Sequence, residues 1–120
     1  MVKRESRNAN IKQRLRLGET VQYKSSGNSL APEVLSGNVC MFEPVSAESA
    51  LNINEIVFCE VQPHNMFYAH KIVKKRWAKG GDGQYEHKFT IGNSYGHANG
   101  YCFRRHIYGR LFEVCEIIEG

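Results

Sequence analysis

No apolar run in this 120-residue sequence approaches the roughly 18 to 20 residues needed to cross a bilayer. The N-terminus is charged and has no apolar block behind it, so neither a membrane span nor a secretory leader is expected, and the chain reads as soluble and cytoplasmic. Metal-ligand spacing is also missing. Cys40, Cys59, Cys102 and Cys115 form no C-x-x-C pair, and His64, His87, His97 and His106 have no i, i+4 or paired spacing and no acidic cluster to complete a site. No metal or cofactor is expected, and the cysteines read as small core hydrophobes in a reducing compartment rather than a disulfide framework.

What is present is enough for one domain: 42% of the residues are hydrophobic, which can bury a continuous core. The net charge of +4 is unevenly placed. Residues 1–18 hold Lys3, Arg4, Arg7, Lys12, Arg14 and Arg16 against Glu5, leaving ten basic and eleven acidic residues in 19–120. The basicity therefore belongs to an N-terminal arm or short helix, which can make weak contact with nucleic acid or another acidic surface. No sequence-reading motif accompanies it.

Ile11 and Leu15 give residues 9–17 one apolar side, with Leu17 at its end and Gly18 as a stop, so a short helix is predicted there as an appendage to the domain. From Thr20 onward the texture is strand and turn. Strands are predicted near 20–23, 39–43, 55–61, 66–75, 85–91 and 107–118, the last with a break or bend at Gly109. Residues 92–100 read as a loop rich in Gly and Asn, and 79–84 as a hairpin connection. The fold class is mainly β.

The most informative segment is Gly27-Asn28-Ser29-Leu30-Ala31-Pro32-Glu33-Val34-Leu35-Ser36-Gly37-Asn38. It resembles the G-x-S-M-x-P box of the LexA/signal peptidase superfamily, with Leu30 for the usual Met and Asn38 where Asp is usual. Asn54-Glu55-Ile56-Val57 is similar to that family's G-D-I-V strand start, and His70-Lys71-Ile72 to the H-R-V/I segment of its Ser/His branch. Residues 90–111 are similar to its K-G-D-N to I-x-G ending, with Asn93 and Asn99 at acidic positions. The resemblance spans residues 19–114. It implies twisted antiparallel sheets forming a partly open barrel, Ser29 as nucleophile and His70 as general base.

A serine hydroxyl needs such a base within about 2.6 to 3.2 Å, and the base needs a group that fixes its tautomer. Asn93 and Asn99 are the candidates for that orienting role, and the amide of Ser29 with Asn28 for an oxyanion hole. Exchange of the aspartate for asparagine in a serine triad costs about 10⁴ in kcat. Strand alternation turns His70 away from Lys71, which removes Lys71 as a substitute base. Asp82, on the hairpin tip, has no expected role.

Two functions follow. The first is a serine endopeptidase-like protein that cleaves a protein partner or itself through Ser29 and His70, the substrate lying as an added strand on a sheet edge. The second is an inactive protein-binding module of the same fold, suited to a phage or mobile-element protein acting on a host factor. The apolar alternation of 107–118 permits a homodimer through that strand. In the basic stretch Lys74-Lys75-Arg76-Trp77-Ala78-Lys79, Trp77 either stacks a nucleic-acid base or folds back on the sheet; the second reading is preferred here.

Overall fold

The computed structural model describes residues 4–46, 48–80 and 82–116, with side chains from Arg7 onward. Helix α1 spans Arg4–Arg16, and seven strands follow: β1 Val21–Lys24, β2 Val39–Pro44, β3 Ile56–Val61, β4 Met66–Lys79, β5 Tyr85–Gly92, β6 Ala98–Phe103 and β7 Ile107–Cys115. A 3₁₀ turn at Arg104–His106 leads into β7. All pairings are antiparallel in one open sheet of order β1-β2-β7-β3-β4-β5-β6. The mainly β expectation holds.

β3 is the central strand, and its run Ile56-Val57-Phe58-Cys59 is buried on both faces. Alternation divides it. Ile56 and Phe58 join Val21, Phe42 and Tyr108 in one cluster, whereas Val57, Cys59 and Val61 join Ile72, Phe89, Ile91 and Cys102 in the other. The first cluster is closed by α1. Ile11 and Leu15, one turn apart, are buried in it, so the helix that the sequence suggested was an appendage supplies core side chains. Leu17 lies beyond the helix and is exposed.

Gly109 makes this docking close: a Cβ there would stand 2.9 Å from a Leu15 methyl. β7 continues through Gly109 as one strand, but its pairing with β3 shifts there, Phe58 standing opposite Gly109 and Cys59 opposite Ile107, so an irregularity falls where the bend was expected; residues 117 and 118 of the predicted last strand lie outside the described residues.

The larger difference lies in 92–100. Six strands were expected, but Ala98–Phe103 forms a seventh, and only the first half of the Gly/Asn-rich stretch is loop. Gly100 sits at φ +145°, with Val61 and the Gln62 carbonyl where a Cβ would be. That close approach lets the Gln62 amide donate to the Tyr101 carbonyl at 2.7 Å, curling β6 back towards the end of β3. The hairpin at 79–84 is as expected, with the Gly80 amide donating to the Gln84 carbonyl at 2.7 Å. Among the described residues no helix is long and apolar enough to cross a membrane.

Candidate functional site

The Ser29 box is a closed loop between β1 and β2. Its ends are tied by the Ser25 amide donating to the Asn38 carbonyl at 2.9 Å and the Ser25 hydroxyl donating to the Leu35 carbonyl at 2.6 Å. Asn38 Oδ1 accepts from the Leu35 amide at 2.8 Å, work that needs only an oxygen acceptor, so asparagine serves there as well as aspartate. Gly27 and Gly37 take positive φ at the two bends. Leu30 and Val34 anchor the loop in the helix-side core, and Ser29 is left half-buried.

β4 carries the other half of the site. The Ile72 amide donates to the Glu55 carbonyl, and the Ile72 carbonyl accepts from Asn54, so Ile72 faces the β3 side. By alternation the main-chain groups of Phe67 and Ala69 then point the other way. On that side β5 pairs with β4 only from Lys71 onward, so among the described residues Met66–His70 has no strand beside it. Ser29 stands near the end of β5, because its carbonyl accepts from the Ser94 amide at 2.8 Å just beyond Gly92.

Ser29 and His70 line one cavity of about 90 Å³ together with Tyr23, Phe67, Tyr68 and Ala69. Among the described residues the Ser29 hydroxyl and amide have no hydrogen-bond partner, and no bond joins Ser29 to His70. His70 Nδ1 lies 2.8 Å from the Ala69 carbonyl oxygen. That acceptor calls for a proton on Nδ1 and leaves Nε2 with its lone pair, the tautomer a general base requires. Burial pushes the His70 pKa below the ordinary histidine value; the Ala69 carbonyl opposes this, and the nearby charge of His97 adds to it. His70 is therefore neutral at pH 7. Tyr68 braces the ring edge-on, with centroids 4.9 Å apart.

Of the two expected orienting amides, one is engaged in its own loop and the other has an unpaired oxygen. Asn93 Oδ1 accepts from the amides of Tyr95 at 2.9 Å and His97 at 3.0 Å, shaping its own loop. Asn99 Oδ1 is buried without a partner. Neither bonds His70; the Ala69 carbonyl occupies that position. Asn28 Oδ1 accepts from the Ser36 amide at 3.4 Å across the loop, and the Asn28 carbonyl accepts from the Ala31 amide.

Sequence reasoning missed Glu33. Its Oε2 accepts from Lys71 Nζ at 2.9 Å and from the Ser94 hydroxyl at 3.1 Å, joining the serine loop, β4 and the β5–β6 loop. Lys71 and Ile56 are cross-strand partners, which puts Lys71 on the helix-side face, opposite His70. The signal was an acidic residue inside the box together with a lysine in the histidine segment, two unlike charges with no obvious partners. No family model, curated protein or solved structure matches the chain.

Proposed function

We propose that this chain is a serine peptidase-like domain of the LexA/signal peptidase kind, taking an extended protein segment along the unpaired Met66–His70 edge of β4. The observation that carries this reading is the cavity shared by Ser29 and His70 at the end of that edge. Main-chain groups of Phe67 and Ala69 would pair with the segment as a strand pairs with a sheet, and alternate side chains would supply selectivity. The scissile carbonyl would meet Ser29, whose proton passes to Nε2 of His70. The Ser29 amide, which has no partner among the described residues, would receive the developing oxyanion. Long nucleophile-to-base distances in a free enzyme often tighten once substrate is bound.

The test is to incubate the protein with a library of unstructured peptides and map new termini by mass spectrometry. Cleavage that is absent with Ser29→Ala supports the reading.

A second reading is capture without cleavage. It is favoured by the missing Ser29–His70 hydrogen bond and by the absence of a carboxylate behind the imidazole among the described residues. Peptides retained equally by wild type and Ser29→Ala, with no new termini, would establish it.

A further inference from the structure

The β4–β5 hairpin carries a second surface, none of whose residues line the Ser29 cavity. Trp77 pairs with His87 and Lys79 with Tyr85, while Lys75 pairs with Phe89. Cross-strand partners share a face, so Lys75, Trp77, Lys79, Tyr85 and His87 stand on one side of the ribbon. It is the same side as the fully buried Phe89, continued past the end of the core.

Trp77 is 63% exposed and Tyr85 61%, whereas the preferred sequence reading has Trp77 folded back on the sheet. The Trp77 ring is braced by His87, with centroids 4.9 Å apart at 80°, and His87 leans on Phe89 at 6.1 Å. This run of rings ties the indole to the core and leaves most of it in solvent, which lowers the entropy cost of stacking a ligand on it. The ribbon carries five basic residues, Lys75 and Lys79 on this face and Lys74, Arg76 and Lys88 on the opposite one, against Asp82 in the turn and Glu86. Glu86 is held by Arg105 with both oxygens at 3.0 Å.

We propose that this face binds single-stranded nucleic acid, one base stacking on Trp77 and a neighbour on Tyr85, with Lys75 and Lys79 on the flanking phosphates. Diagonal positions on paired strands are about 7–8 Å apart, within reach of successive bases of an extended strand. The ligand class follows from the combination of exposed aromatics with an excess of positive charge. A membrane surface fits less well, because the connecting residues 79–84, Lys-Gly-Gly-Asp-Gly-Gln, offer no apolar side chain to enter the acyl region.

Trp77 is the sole tryptophan, so its fluorescence reports on the proposed contact directly. Titration of the full chain with dodecathymidylate at low salt is expected to quench it. Anisotropy of labelled dodecathymidylate is expected to show binding weakened about tenfold by Trp77→Ala and by Tyr85→Ala, and largely kept by Trp77→Phe. Lys75→Gln with Lys79→Gln is expected to flatten the log–log salt slope by about 1.4, two phosphate contacts at 0.7 each. Circular dichroism confirms that each variant is folded. Absence of binding, binding that Trp77→Ala and Tyr85→Ala leave unchanged, or binding to phosphatidylserine vesicles without binding to the oligonucleotide would each overturn the proposal.

Discussion

Lys71 Nζ lies 2.9 Å from Glu33 Oε2, and this ion pair fastens the loop that carries Ser29 to the strand that carries His70. The same contact commits the Lys71 ammonium to a carboxylate on the face away from His70. In the proposed mechanism this leaves His70, which lines the Ser29 cavity, as the base.

The pair sets a pH dependence. The hydrogen bond from Lys71 holds the Glu33 carboxyl below its usual pKa; slight burial works against it, and the Ser94 hydroxyl lowers it further. A depressed folded-state pKa stabilises the fold above the unfolded value, about 4.3, and that gain is lost as pH falls through the folded value. Glu33 is 47% exposed, so Glu33→Gln is expected to cost less than about 1 kcal/mol at pH 7. The difference in Tm between the two proteins should vanish at a pH well below about 4. Equal differences at low and neutral pH would remove the ion pair as its cause.

His70 should govern reactivity with pH. Because burial lowers its pKa, it remains a free base through neutrality and is protonated only below the ordinary histidine value of about 6.5. Labelling of Ser29 by an acylating or phosphonylating reagent should be flat above that value and fall below it. A rate still rising well above neutrality would rule out His70 as the base.

Gly109 and Leu15 test the docking of the helix. Gly109→Ala meets both Leu15 methyls and should cost about 1–3 kcal/mol, and Leu15→Ala should cost about 2–5 by leaving a cavity. Each change relieves the other, so the double variant should be less destabilised than the sum in urea unfolding. Strict additivity would mean that the two residues do not touch.

Gly100→Ala should be the more damaging glycine change. At φ +145° any side chain is strained, and its Cβ would meet the Gln62 carbonyl, which belongs to the backbone. A clear fall in Tm is expected, with faster amide exchange at Gln62, whose amide bonds Tyr101.

These contacts show why the sequence was legible only in part. β3 could be read because its buried run is continuous, and α1 because Ile11 and Leu15 recur at helical spacing. β6 could not, since Ala98-Asn99-Gly100 has turn chemistry and becomes a strand only through pairing with β5 and the approach of Gln62. The site divided in the same way. Ser29 and His70 were singled out by the resemblance of their segments to a known family's and line one cavity, but the group on Nδ1 is a main-chain carbonyl, which no side-chain pattern records. The expected amides, Asn93 and Asn99, lie in the loop beyond β5 and at the start of β6, where one shapes its own loop and the other is buried unpaired.

The most direct test is labelling of the purified protein with a serine-reactive fluorophosphonate, read by intact mass for wild type, Ser29→Ala and His70→Ala. One adduct on wild type, lost in both variants, is the expected result and would establish an activated serine. A folded wild type that takes no adduct would contradict the Ser29/His70 mechanism and leave peptide capture without cleavage.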